Sequence, residues 1–201
     1  MLVRRFRSSS LAPALFVKAY ILEWWQSGGK ITYHVLSAGR VTMNEYESLI
    51  LRAAHASEAS EIASISRLHV EHGLNWRWTP ARVKRHIKDK DTMVLVASMR
   101  GVLQGFAIMK FHDDVAHLLL LAVQPKVRRV GIGRALHQWL EKSCRTAGIQ
   151  RVRLEVRASN QPAKKFYESL GYRLVGQMAG YYDRREAAVI MGRALNETVS
   201  F

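Results

Sequence analysis

The spacing of apolar residues changes character several times along this chain, and each change marks an element. Up to about residue 45 neither a period of two nor one of 3.6 is sustained. Ser48 to Ala54 then reads as a short strand. Ser57 is placed to cap a helix in which Ile62, Ile65, Leu68 and His69 recur at helical spacing. Thr79-Pro80 opens a second helix, because proline suits the first helical position. Met93–Met99 and Val102–Lys110 read as a hairpin turning on Arg100-Gly101, and Val115–Val123 as a long apolar strand stopped by Pro125. A helix over Gly131–Ala147 carries Ile132, Leu136, Trp139 and Leu140 on one face and ends at Gly148. In Arg151–Arg157, Val152, Leu154 and Val156 alternate onto one side of a strand. Asn160 caps a last helix ending at Gly171, and Tyr172–Gln177 and Ala187–Arg193 finish as strands.

The order is β-α-α-β-β-β-α-β-α-β-β. A meander followed by β-α-β crossovers predicts an α/β domain with one mixed sheet and helices on both faces. It occupies residues 46–196, after an extension (1–45) and before a short tail (197–201).

Composition adds a direction. The chain of 201 residues has a formal charge of +15, which attracts an anionic coenzyme, nucleic acid, an acidic peptide or a ribosome surface without choosing among them. Residues 1–42 hold Arg4, Arg5, Arg7, Lys18, Lys30 and Arg40 against one acid, Glu23. Their Arg- and Ser-rich start is like an organelle-targeting segment. A weakly folded extension, or translation from Met43, fits as well, and these two readings together are favoured. A single cysteine, Cys144, excludes an intrachain disulfide and fits a reducing compartment such as the cytoplasm. Mid-helix beside Leu140 and Ala147, it reads as a small core residue rather than a nucleophile. No run of eighteen apolar residues exists, so no membrane span is expected. His69 and His72 lie three apart, but no further ligands cluster near them, and no metal is expected.

The segment Leu121-Ala-Val-Gln-Pro-Lys-Val-Arg-Arg-Val-Gly-Ile-Gly-Arg-Ala-Leu136 joins a buried strand, a basic loop and a glycine-rich helix start. The first N–H groups of a helix lack internal partners and carry partial positive charge, and glycines let a pyrophosphate approach them. A dinucleotide loop would need a third glycine where Leu136 stands, and a shorter gap from the strand. A Walker A loop would need lysine where Arg134 stands. Arg128-Arg129-Val130-Gly131-Ile132-Gly133, with its preceding Val-x-Pro, instead resembles the acetyl-CoA loop of the GNAT acetyltransferases, Arg/Gln-x-x-Gly-x-Gly/Ala. Downstream, Leu154-Glu-Val-Arg-Ala-Ser-Asn-Gln-Pro-Ala-Lys-Lys-Phe-Tyr-Glu-Ser-Leu-Gly-Tyr172 is similar to the same stretch of RimI-type N-terminal acetyltransferases, a GNAT branch acting on a ribosomal protein. The resemblance runs from about residue 50 to 195 and is densest at 121–134 and 154–172.

That resemblance implies the GNAT, or acyl-CoA N-acyltransferase, fold and acetyl-CoA as co-substrate. It assigns the coenzyme to the strand end Leu121, Ala122 and Val123, to Arg128, Arg129, Val130, Gly131, Ile132, Gly133 and Arg134, and to Asn160 on the pantetheine arm. Glu155 matches the general base, directly or through water. Tyr167 matches the acid that protonates the departing sulfur, although its spacing with Ala163, Phe166 and Leu170 also suits a core aromatic. Transfer is expected to be direct, with the oxyanion on backbone N–H groups at the Leu121–Val123 strand end. Tyr181-Tyr182 matches a pair in a hairpin loop that contacts acceptor backbone. Trp76 and Trp78 fall where many GNAT enzymes shape the acceptor site, and equally suit plugging the core. The implied acceptor is the α-amine of a protein N-terminus, a ribosomal protein in that branch. A small-molecule amine or a lysine side chain is the nearest alternative. A non-catalytic ribosome- or nucleic-acid-binding protein on a GNAT scaffold is the alternative of another class. Nucleic acid is not required by the resemblance, and monomer and homodimer remain equally open.

Overall fold

The computed structural model describes residues 30–36 and 46–196; the targeting-like opening at 1–29, residues 37–45 and the tail at 197–201 lie outside the described residues. Among the described residues eight strands form one sheet: β1 (Ile31–Leu36), β2 (Tyr46–Ala53), β3 (Thr92–Met99), β4 (Val102–Phe111), β5 (Val115–Val123), β6 (Arg151–Arg157), β7 (Arg173–Tyr182) and β8 (Glu186–Ala194). Their spatial order is β1-β2-β3-β4-β5-β6-β8-β7. Of these, β5 and β6 pair in parallel and the other neighbours antiparallel. The helices are α1 (Ala59–His69), α2 (Pro80–Lys88), α3 (Ile132–Thr146) and α4 (Gln161–Glu168).

Two expectations need correction. The sheet begins at Ile31, inside the segment assigned to an extension, because β1 pairs with β2 from Ile31↔Leu51 to Leu36↔Tyr46. The run Ile-Thr-Tyr-His-Val-Leu has strand-forming residues, but an edge strand this short needs a partner before it is stable. Nor does Ser57 cap α1. A 3-10 turn at Ala56–Glu58 precedes the helix, and the Glu58 carboxylate accepts from His55 N–H at 2.7 Å. Arg52 holds that carboxylate with two 2.7 Å bonds. The other termini follow the sequence rules. Thr79 accepts from Arg82 N–H ahead of Pro80, Asn160 from Ala163 N–H, and Gly148 leaves α3 at φ 75°.

The sheet buries both faces. On one, Leu95, Met109, Leu118 and Leu154 form a core with Leu136, Trp139 and Leu140 of α3. On the other, Phe106, Ile108 and Leu120 pack with Ile62 of α1 and Val83 of α2. Cys144 is fully buried beside the Met109 sulfur, and burial pushes its thiol up to about 12, so it stays protonated and inert.

β5 changes face midway. Ile108 pairs with Leu120 but Met109 with Leu118, leaving Leu119 as an extra residue. Before this bulge Ala116 and Leu118 face the α3 core; after it Leu120 and Ala122 face the α1/α2 core. A one-residue bulge reverses which side chains point which way, because strand side chains alternate.

His137 is 1% exposed on α3, with Nε2 2.8 Å from the Tyr172 hydroxyl. Burial, opposed only in part by Glu141, lowers its pKa to about 4. The unfolded chain therefore takes up this proton first as pH falls. We expect stability to drop by about 2 kcal/mol between pH ~6.5 and ~4 on this account. Chemical denaturation across that window, compared with His137→Gln, checks it: the variant should lose that part of the slope.

Candidate active site

The glycine loop is built from donors. Pro125–Val127 makes a 3-10 turn after β5, Arg129 has φ 70° and Gly131, at φ 96°, sits at the N-cap of α3. No side chain caps this helix and no acid lies in its first turn. Its N–H groups are therefore left for an anion, with Arg128, Arg129 and Arg134 around them. Arg128 is anchored, its Nε donating to Val123 O at 3.0 Å. Gly133 lies against Phe166 and Leu121, where a Cβ would sit 3.4 Å from the Phe166 ring. The chemistry of this donor set, cationic and amide with no carboxylate, fits a pyrophosphate.

Beside the loop the sheet opens. β5 and β6 pair from Val115↔Arg151 to Leu118↔Leu154 and no further, whereas β6 continues along β8 to Arg157↔Ala188. Gln124 N–H donates to Gln104 O, toward β4. By the alternation of a strand, the N–H groups of Leu121 and Val123 point the other way, into the gap. Leu121 and Val123 pack on the α3 core and Ala122 on the other, so the strand end sits between the two layers.

Glu155 lies on the face of β6 opposite the buried Val152, Leu154 and Val156, as its position in the alternation predicts. Its Oε2 is 2.5 Å from His117 Nε2 on β5, and both side chains are mostly buried, at 13% and 14% exposure. A carboxylate only accepts, so His117 Nε2–H is the donor when Glu155 is ionised. The sequence reading missed His117. The available signal was a polar residue in the otherwise apolar Val115–Val123 run.

Tyr167 enters from the other layer. It is buried in the α3 core, edge-on to Phe166 and Tyr172. Among the described residues no hydrogen bond engages its hydroxyl. Burial, and then the nearby Tyr182, raise its pKa well above that of an ordinary phenol. Tyr181 and Tyr182 stand at the end of β7, rather than in a loop, before a tight turn with Asp183 and Arg184 at positive φ. Burial and then neighbouring charge, including the Glu155 carboxylate, raise both phenols.

The α1–α2 loop closes over this strand face. Asn75 N–H donates to Asp183 Oδ2 at 2.6 Å, and Arg157 reaches His72 O at 2.9 Å. Arg157 also binds Glu186, whose carboxyl is held down to about 2 by the Ser159 hydroxyl and N–H and by Arg157. Trp78 is buried in the α1/α2 core under Arg82, so it plugs that core; Trp76 is 43% exposed on the loop. Asn160 is occupied as a cap at the start of α4. A cavity of about 520 Å³ between α3, the α4–β7 turn and β8 shares only Arg134 with the loop. It contains neither Glu155 nor Tyr167, so it lies outside this constellation.

Among the described residues no helix is long and apolar enough to cross a membrane. Residues 58–172 match the acetyltransferase (GNAT) family model. The [ribosomal protein bS18]-alanine N-acetyltransferase of Escherichia coli (strain K12) is 40% identical over 97 residues, which span 47% of this chain and 66% of that protein. The N-alpha-acetyltransferase of Sulfurisphaera tokodaii is 27% identical over 158 residues, 72% of this chain and 92% of that one. The crystal structure of the ribosomal-protein-S18-alanine N-acetyltransferase from Escherichia coli superposes with a TM-score of 0.65 at 27% identity, covering 76% of this chain and 99% of that chain.

Proposed function

This chain belongs to the GNAT acetyltransferase family, and we propose that it transfers the acetyl group of acetyl-CoA to the α-amine of a protein N-terminus by direct attack. The observation that carries this reading is the Glu155–His117 pair on the α1/α2 face of the sheet beside the β5/β6 gap, with Tyr167 in the α3 core on the other face. Bound acetyl-CoA supplies an activated thioester. The Gly131–Gly133 helix start and Arg128, Arg129 and Arg134 hold its phosphates, and the gap admits its arm past the strand end Leu121–Val123. Glu155, oriented by His117, removes a proton from the incoming ammonium, directly or through water. The amine nitrogen then bonds to the acetyl carbon while the N–H groups of Leu121 and Val123 face the carbonyl oxygen. The C–S bond breaks, Tyr167 gives its proton to the sulfur, and the second proton shed by the nitrogen as the amide forms restores the Tyr167 phenol through solvent.

The acceptor rests on the named activities of relatives and on the Tyr181–Tyr182 pair at the end of β7. Ribosomal protein bS18 is the first acceptor to try, in a reducing cytoplasm. Incubation with acetyl-CoA and free or N-terminally blocked peptides, read by mass spectrometry, tests it. Acetyl should appear at the α-amine of free peptides only. Turnover of polyamines or aminoglycosides with inert peptides would overturn the reading.

A further inference from the structure

A proton donor must be aimed, and Tyr167 is aimed by its neighbours. Among the described residues no hydrogen bond engages its hydroxyl, while the rings of Phe166 and Tyr172 stand edge-on against its own. Of these two neighbours, Tyr172 carries a directional anchor. Its N–H donates to the Tyr167 carbonyl at 3.0 Å across the end of α4, and the two ring centroids lie 5.6 Å apart. Its hydroxyl meets His137 Nε2 on α3 at 2.8 Å. Both partners of that bond are buried.

His137 is itself fixed from behind. Its Nδ1 has no hydrogen-bond partner among the described residues and faces Glu141 Oε2 at 3.7 Å. Arg145 and Arg193 hold that carboxylate at 2.9 and 2.7 Å. A carboxylate on the Nδ1 side favours the tautomer protonated there, so the Tyr172 O–H donates to Nε2. A line of polar groups thus runs from half-exposed Arg145 through the apolar core to the ring beside Tyr167. The elements it joins matter to the reaction. His137 lies about 9 Å along α3 from Gly131, where the coenzyme phosphates are held. Tyr172 closes the helix that carries Tyr167. Apolar contacts tolerate sliding of one helix on another, whereas a hydrogen bond has one length and one direction.

We infer that the His137–Tyr172 hydrogen bond is a positioning pin, which fixes Tyr167 relative to α3 so that its hydroxyl meets the departing sulfur. The inference rests on the reading of Tyr167 as the acid. Neither partner touches the reacting atoms; both act through Tyr167. A misplacement of about 1 Å at a reacting group costs on the order of 10²-fold in rate.

The test removes both partners at once. His137→Leu/Tyr172→Phe replaces a matched polar pair by apolar side chains of similar shape, and should melt close to the parent. Its kcat should fall by about 10–100-fold with the KM for acetyl-CoA nearly unchanged. In a Tyr167→Phe background the same two substitutions should cost less than about twofold, since the group they aim is gone. The deficit should also shrink when the donor is an acetyl thioester of a more acidic, aromatic thiol. A ratio of two donors within one preparation does not depend on how much of the variant is folded, and Tyr172→Phe alone should show the same change in it. A double variant with the parent's kcat, an equal loss with and without the Tyr167 hydroxyl, or a deficit identical for both donors would overturn this inference alone and leave the pair to packing. If Tyr167→Phe itself keeps the parent's kcat, the reading of Tyr167 as the acid fails and this inference with it.

Discussion

Tyr167→Phe is expected to lower kcat by about 10²–10⁴-fold while leaving the KM for acetyl-CoA nearly unchanged. Removing one hydroxyl usually disturbs a core, but here it should not. No hydrogen bond among the described residues engages this hydroxyl, and the ring keeps its contacts with Phe166 and Tyr172. The variant should therefore fold and melt like the parent. What it loses is a proton donor. Burial favours the neutral phenol, so the proton stays on oxygen at neutral pH and is there for a developing thiolate. An interaction made only as the C–S bond breaks appears in kcat and in kcat/KM equally. Varying the acyl donor isolates this step. With an acyl donor whose leaving thiol is more acidic, the deficit should shrink, because a better leaving group needs less protonation. A variant with unchanged kcat would place Tyr167 among ordinary core aromatics, as its spacing with Phe166 and Leu170 also allows.

The parts of this site that could be read from the sequence are those whose chemistry is local. Gly131 is needed where the backbone turns through φ 96°, and the arginines follow in the same loop. The alternation of Val152, Leu154 and Val156 places Glu155 on the opposite face without any knowledge of the partner strand. Asn160 caps its own helix. His117 could not be read in this way. Its partner is 38 residues on, and only the parallel register of β5 and β6 brings the two together. The bulge at Leu119 is equally silent, since an apolar run reads the same with or without an extra residue, yet it directs the strand end into the gap. β1 was lost for a related reason: Ile31–Leu36 lies in an acid-poor stretch, and its pairing with β2 spans nine residues outside those described. The Arg52–Glu58 clamp displaced the start of α1 from Ser57, because a bidentate ion pair between β2 and the turn outweighs a serine cap.

Glu155→Gln is expected to cost about 10²–10⁴-fold in kcat/KM near neutral pH, and the loss should depend on pH. A base works only when unprotonated, so the parent enzyme should lose rate as pH falls. In the Gln variant the remaining group that must lose a proton is the acceptor ammonium itself, ordinarily at about 7.7–8.0. The two profiles should then converge as pH rises past that value, where free amine no longer needs a base. Substitution of His117 separates its role from that of Glu155. His117→Gln keeps an N–H that can reach the carboxylate, whereas His117→Leu leaves a mostly buried carboxylate without its donor. The Leu variant should lower kcat/KM, because the carboxylate loses the donor that orients it. The Gln variant should restore most of that loss. A deficit in Glu155→Gln that is constant across pH would remove Glu155 from proton transfer. A Leu variant with the parent's kcat/KM would reduce His117 to packing, leaving the base to act with water alone.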